Sequence, residues 1–86
     1  MPELCRFYGI VIRMFYDDHA PPHFHVVYGD LQAVIAIETL AVIAGEVPPR
    51  ALGLVVEWAS IRRGELLDAW QRAHQGQMPG KIEPLY

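Results

Sequence analysis

The first half of the chain carries its hydrophobic side chains at the spacing of β-strands. Aromatic and β-branched residues repeat at every second position across residues 7–16, which predicts a strand that is apolar on both faces. Residues 23–28 predict a second strand, Gly29-Asp30 a tight connection, and residues 31–38 a third strand antiparallel to the second. A short fourth strand is predicted at residues 41–44. We expect these strands to be neighbours in the sheet in the order of the sequence, as a meander.

The second half carries its hydrophobic side chains at helical spacing. Pro48-Pro49 predicts a helix start, because the first turn of a helix tolerates the missing N–H of proline. The apolar positions that follow are Leu52, Leu54, Val55, Val56, Trp58, Ala59 and Ile61. An apolar surface this wide indicates contact with the sheet and also with a second helix or another subunit.

A second helix is predicted over residues 65–74, and Gly76 is expected to end it. One unbroken helix through both segments would be roughly 40 Å long at 1.5 Å per residue. A domain of this size is only about 30 Å across. We therefore expect the helix to break at residues 62–64.

These elements predict a single α+β domain over residues 1–86. An antiparallel meander of three to four strands occupies residues 4–45, and two C-terminal helices at residues 48–76 pack on one face of it. Residues 77–86 form a tail. Through Ile82 and Leu85 the tail either returns to a sheet edge or to the helices, or it frays in solution.

The composition favours a folded chain and argues against electrostatic binding to nucleic acid. Hydrophobic residues make up 52% of the chain and charged residues 20%, unlike a disordered sequence. The net charge of −3 gives little attraction for phosphate backbones, so nucleic acid is not a favoured partner. Cys5 has no second cysteine to pair with, and neither a membrane-spanning run nor a secretory signal is recognised. We expect a cytoplasmic protein.

Three of the four histidines lie within seven residues, around two prolines. On the second predicted strand, His23 and His25 point to the same face, about 6.6 to 6.8 Å apart along the backbone. Two imidazoles on one face of a sheet can share a metal ion or act in proton transfer. Asp17 and Asp18 are adjacent, and either carboxylate can orient an imidazole or merely cap the turn. We select His23, His25 and Asp18 as the candidate catalytic residues.

His19 extends the candidate metal set to His19, His23 and His25, with zinc as one example of the ion. A straight polyproline path puts His19 roughly 12 Å from His23, near the limit for one tetrahedral ion. A cis bond at Ala20-Pro21 or at Pro21-Pro22 would bring His19 back. Three interpretations stay open: a transition-metal site, a metal-free proton-transfer or anion site, and histidines with a structural or partner-contact role.

The chain also resembles a known family along most of its length. The matching segments are Cys5 to Ile12, Asp18-His19-Ala20-Pro21-Pro22-His23-Phe24-His25-Val26, Arg50-Ala51-Leu52, Glu57-Trp58, Glu65-Leu66-Leu67 with Trp70, and Lys81 to Leu85. They resemble a bacterial domain-of-unknown-function family, DUF4160. The resemblance implies a small cytosolic protein encoded beside another small domain and labelled at times as a transcriptional regulator or a toxin-antitoxin component. Carried over by position, its motif points to Asp18, His19, Pro21, Pro22, His23, Phe24 and His25.

Two hypotheses for function follow. In the first, the chain is a regulatory or toxin-antitoxin-like component that binds a partner protein encoded nearby, or a second copy of itself. Its partner-binding residues are then Trp58, Trp70, Leu54 and Ile61, and the histidine turn is a functional surface. In the second, it is a metal-dependent or histidine-based hydrolase of phosphate esters or nucleic acid, with His23 and His25 as ligands or acid-base groups and Asp18 orienting one of them. The sequence favours the first.

Overall fold

A computed structural model describes residues 2–16 and 18–86, which form a sheet followed by two helices. Within these residues the strands are β1 (Glu3–Phe7), β2 (Ile10–Arg13), β3 (His23–Tyr28), β4 (Leu31–Ala36) and β5 (Val42–Gly45). The helices are α1 (Pro49–Ile61) and α2 (Arg63–His74). All strand pairs are antiparallel and the sheet order is β1-β2-β3-β4-β5. The predicted α+β meander with two C-terminal helices is confirmed, with five strands in place of three to four.

The additional strand arises because the segment predicted as one strand at residues 7–16 is part of a hairpin. Its turn lies at Tyr8 and Gly9, which have φ values of 50° and 81°. Two consecutive positive φ angles are typical of the two-residue turns that join antiparallel strands, where asparagine usually precedes glycine. Here tyrosine, a residue typical of strands, stands where asparagine is usual. The alternating pattern of the strand therefore ran through the turn, and the sequence predicted one strand in place of two.

Cross-strand register divides the side chains of the sheet between two faces. Ile12 pairs with Val26, and Val26 pairs with Ala33, so these three side chains share the face that packs against the helices. The next set of cross-strand partners is Arg13, His25 and Val34. Because successive side chains along a strand point to opposite faces, these three lie on the other face of the sheet. That second face carries the histidine positions.

The helical segment breaks at Arg62, within the predicted break at residues 62–64. Arg62 has φ −106° and ψ 17°, and its backbone N–H donates to the carbonyls of Trp58 and Ala59. α2 begins at Arg63, two residues earlier than predicted, and the Arg63 Nε–H donates to the carbonyl of Ile37 at 3.2 Å. Neither helix combines the length and the apolar run that a membrane crossing needs.

The C-terminal tail returns both to the β1 edge of the sheet and to α1, two of the three predicted alternatives. The backbone N–H of Ile82 donates to the carbonyl of Leu4 at 3.0 Å, and the indole N–H of Trp58 donates to the carbonyl of Glu83 at 2.7 Å. Ile82 is buried. β5 forms the opposite edge, and all four of its residues are exposed.

Candidate metal centre

The two histidines of β3 converge, as the period of two predicted. The ring centroids of His23 and His25 are 5.2 Å apart, with an angle of 65° between the ring planes. His23 pairs with Ala36 and His25 with Val34, so small and medium side chains of β4 flank both rings. The strand geometry thus presents two imidazoles side by side on the same side of β3, with α2 covering His23 more than His25.

Asp18 joins the two rings through a single carboxylate oxygen. Its Oδ2 atom lies 2.8 Å from Nε2 of His23 and 3.0 Å from Nε2 of His25. The other oxygen, Oδ1, accepts the backbone N–H of His19 at 3.2 Å, which holds the carboxylate in place. One ligand atom from each of Asp18, His23 and His25 lies within 4.8 Å of the other two.

The carbonyl of Pro21 determines which nitrogen of His23 is free to bind an ion. His23 Nδ1 lies 2.7 Å from this oxygen, which can only accept, so Nδ1 carries the hydrogen. In neutral His23, Nε2 then directs a lone pair at Asp18 Oδ2, which is also an acceptor. A cation bound by both atoms, or a second proton on the ring, resolves this conflict. Proteins commonly orient a metal-binding histidine in this way, with the ring nitrogen that does not bind the ion donating a hydrogen bond to a carbonyl.

Opposing effects act on the Asp18 carboxyl group. Partial burial raises its pKa, whereas the hydrogen bonds from His25 and His23 lower it, and the pKa ends below its ordinary value. The carboxylate is therefore ionised at neutral pH. An ionised carboxylate beside two imidazoles is a ligand set for a divalent transition metal.

Aromatic side chains form the walls of the site, and one side stays accessible. The ring of Phe15 is 4.1 Å from that of His25, and the indole of Trp70 is 5.0 Å from His23. The ring of His74 stacks with the same indole, with centroids 6.0 Å apart. The side chain of His23 is 9% exposed, while those of Asp18 and His25 are 24% and 20% exposed. Small solutes can therefore reach the carboxylate and one imidazole.

The structure brings the three candidate catalytic residues together but not the third candidate metal ligand. His19 is exposed and is not part of the group of ligand atoms, although the Ala20–Pro21 bond is cis. Asp18, and not His19, provides the third ligand atom beside His23 and His25. Asp17, the other carboxylate considered, lies outside the described residues.

The residues selected for partner binding are divided between the core and the surface. Trp58 and Trp70 are 1% and 8% exposed, because the chain's own sheet and tail cover them. Leu54 is half-buried, and Ile61 is 64% exposed. Only Leu54 and Ile61 are thus available to another molecule.

Arg13 is a site residue that the sequence could not assign. Its Cα pairs with that of His25 across β2 and β3, so both side chains lie on one face. Its buried Nε atom has no hydrogen-bond partner in the part of the chain that the structure describes. Alternation along the predicted strand showed that Arg13 shares a face with Phe15, but only the register shows that this face is the one with the histidines.

Comparison with protein families identifies one match. A family model described as "Domain of unknown function (DUF4160)" matches residues 9–71. This range includes the histidine turn, the sheet from the end of the first hairpin turn, α1 and most of α2. Comparisons with curated proteins and with solved structures found no match.

Proposed function

For this chain, which belongs to the DUF4160 family, we propose a metal-dependent hydrolase that acts on phosphate esters, with a divalent ion held by Asp18, His23 and His25. One observation carries the proposal: three ligand atoms of types that transition metals prefer lie within 4.8 Å of one another, on an accessible face. Zinc is a fitting ion, because it binds imidazole nitrogen and carboxylate oxygen readily.

Three protein ligands suit catalysis better than a purely structural role. Structural zinc sites close the ion in with four protein ligands, whereas catalytic sites leave a position for water or substrate. An ion held by Asp18, His23 and His25 would provide the Lewis acidity that activates water for attack near neutral pH. The exposed sides of Asp18 and His25 are where that water and a substrate would approach.

The charge around the site favours an anionic substrate. Arg13 stands opposite His25 and Glu3; although its Nε atom is buried, its guanidinium brings a positive charge to the face of the histidines. A guanidinium group suits phosphate oxygens in geometry as well as in charge. Arg13 would bind the phosphate ester beside the ion.

Metal content and hydrolysis, measured on protein purified without an affinity tag, test this proposal. We expect one zinc ion per chain and metal-dependent hydrolysis of bis-p-nitrophenyl phosphate. Asp18→Asn and His25→Ala should each weaken zinc binding by about 100-fold or more and abolish the hydrolysis, since a lost ligand costs at least as much as a lost hydrogen-bond partner of a ligand.

His19→Ala is the matched control, because it removes an imidazole from the same turn but not from the ligand group. It should keep both the zinc and the activity. Protein that binds no metal, or a His19→Ala variant that loses metal as severely as Asp18→Asn, would rule out this ligand set. Metal binding without any hydrolysis would support the metal centre but contradict the proposed hydrolase activity.

A second candidate function, binding to another protein chain, is supported by the exposed edge strand β5. Val42 and Ile43 are 39% and 49% exposed, and in the described part of the chain β5 pairs with β4 alone. An open edge offers unpaired N–H and C=O groups to another strand. The occupant we favour is a second copy, because Val42–Gly45 has no charged residue and two such strands meet around a twofold axis without repulsion.

Light scattering during size-exclusion chromatography tests this second candidate. We expect a dimer that Ile43→Lys converts to a monomer, because lysine on an edge strand opposes pairing. Ile61→Lys places the same charge on the exposed Ile61 of α1 and should leave the dimer intact. A wild-type monomer, or a dimer that only Ile61→Lys disrupts, would exclude the β5 interface.

A further inference from the structure

A second concave site lies at the other end of the sheet from the metal centre. His23 begins β3 and Tyr28 ends it, which separates the two by about 17 Å at 3.3 Å per residue. Beside Tyr28, α1, the turn of the first hairpin and residues 85–86 of the tail line an open cavity of about 370 Å³. This volume is within the range of small-molecule pockets. The residues that define it here are Tyr8, Ile10, Tyr28, Arg50, Leu54 and Glu57.

Tyr8 occupies a backbone conformation that does not favour it. Its φ of 50° is left-handed, where glycine, asparagine and aspartate are preferred, and the side chain is 61% exposed. Its ring meets Phe7 edge-on, with centroids 6.3 Å apart, but most of the ring is exposed and adds little to the core. Residues held in such conformations concentrate at ligand-binding sites.

Two tyrosines, Tyr8 and Tyr28, line the cavity. Tyr28 lies against Gly9, where a Cβ atom would be 3.6 Å from its Cε1 atom, so the Tyr28 ring adjoins the turn that carries Tyr8. Ile10 is fully buried and provides an apolar floor. Flat aromatic faces above an apolar floor are suited to stacking with a planar ring.

Opposite charges lie at the two ends of the α1 wall. Arg50 and Glu57 are seven residues apart, about 10.5 Å along the helix axis and on nearly the same side, with Leu54 between them. Among the described residues neither side chain forms an ion pair. A complementary ligand has an anionic group for Arg50, a flat apolar body, and an N–H donor for Glu57.

We propose that this cavity binds a free nucleoside monophosphate. The base stacks on Tyr8 and Tyr28, its amino group donates to the Glu57 carboxylate, and Arg50 binds the phosphate through its guanidinium. The site is separate from the metal centre and does not depend on the function proposed for it.

Calorimetric titration with AMP in the presence of EDTA tests the proposal. We expect saturable binding, with adenosine and inorganic phosphate each binding at least about tenfold more weakly, because each lacks one of the two contacts. Arg50→Gln should weaken AMP binding by about tenfold through loss of a charge-assisted hydrogen bond.

Tyr8→Asn separates binding from folding. Asparagine followed by glycine is the preferred pair for this turn, so the variant should raise Tm by about 3 °C while weakening AMP binding by about fivefold or more. Tyr16→Asn changes an exposed tyrosine outside the cavity, and Asp18→Asn changes the metal centre; both should bind AMP as the wild type does. Absence of AMP binding, phosphate alone binding as tightly as AMP, or unchanged binding by both Tyr8→Asn and Arg50→Gln would overturn the proposal.

Discussion

Trp58 of α1 and Trp70 of α2 are both buried by this chain, but they contact different kinds of side chain. Trp58 packs against the rings of Phe7 and Phe24, with centroids at 5.6 and 5.8 Å. Trp70 packs against the imidazole of His23 at 5.0 Å and stacks with His74. The first tryptophan belongs to an apolar core, while the second forms the border between that core and the metal centre.

The comparison shows that a buried aromatic residue has to be judged by its neighbours. Both tryptophans follow the apolar stripe of a helix, and from the sequence both were predicted to anchor a partner. The structure gives Trp58 a sealed position with its N–H bonded to the tail, and Trp70 a position from which it orients a candidate ligand. We therefore expect changes at Trp58 to affect stability and changes at Trp70 to affect the site.

The largest effect is expected for Trp58→Ala. Removing this ring leaves a cavity among aromatic neighbours, which costs about 3 to 5 kcal/mol of unfolding free energy. Urea unfolding followed by circular dichroism measures the loss. Trp58→Phe is the milder variant, for use where Trp58→Ala does not fold. It should lose about 1 to 2 kcal/mol of unfolding free energy, which includes the lost hydrogen bond to Glu83. A loss below about 0.5 kcal/mol in both variants would contradict a core role for Trp58.

Trp70→Ala should have a smaller effect on stability and a larger effect on zinc. We expect about 2 kcal/mol of destabilisation, because the ring is partly replaced by water at the site, and roughly tenfold weaker zinc binding, because His23 loses the wall that orients it. Competition with a fluorescent chelator measures the affinity. Unchanged zinc affinity in a folded variant would show that Trp70 is only a packing residue.

Fluorescence can separate the two tryptophans directly. Ni²⁺ bound by Asp18, His23 and His25 should quench the indole that lies against His23 and hardly affect the one in the core. Trp58→Phe should therefore retain most of the quenching, while Trp70→Phe should abolish it. Quenching that survives in Trp70→Phe and disappears in Trp58→Phe would place the ion near the other tryptophan and reverse the comparison.

The smallest change is expected at Cys5, which shares the sealed core with Trp58. Burial, with a smaller contribution from the Glu3 charge, raises the pKa of this thiol from 9.0 to about 12. The stabilisation from a neutral buried thiol is then complete below pH 9 and is lost as the pH rises toward 12. Iodoacetamide at pH 8 should modify Cys5 only after urea is added. Rapid modification of the folded protein at that pH would show that this core is open.

The sequence predicted the repeating parts of the fold better than its turns. Periods of two and of three to four residues predicted the meander, both helices and the break near Arg62. The first hairpin was missed, because Tyr8-Gly9 lacks the asparagine that usually marks such a turn. β5 was placed correctly within one residue, at residues 41–44 against Val42–Gly45.

The candidate site was predictable as far as local geometry extends. Alternation along one strand placed His23 and His25 together, and proximity in sequence selected Asp18 as a possible orienting group. The course of the proline turn determines whether His19 or Asp18 reaches the rings, and the sequence did not predict that course. Contacts from distant elements, namely Phe15, Trp70 and Arg13, depend on strand register and helix packing, which no local pattern contains.

The tail along β1 limits how copies of this chain can assemble. Because Ile82 bonds to Leu4, one border of the sheet is already occupied by the molecule itself, and β5 is the strand still able to accept a neighbour. In the proposed β5 dimer, strand pairing would end after a single symmetric step, because each outer border would be a β1 strand that the tail already contacts. One receptive border would thus favour closed pairs over fibres.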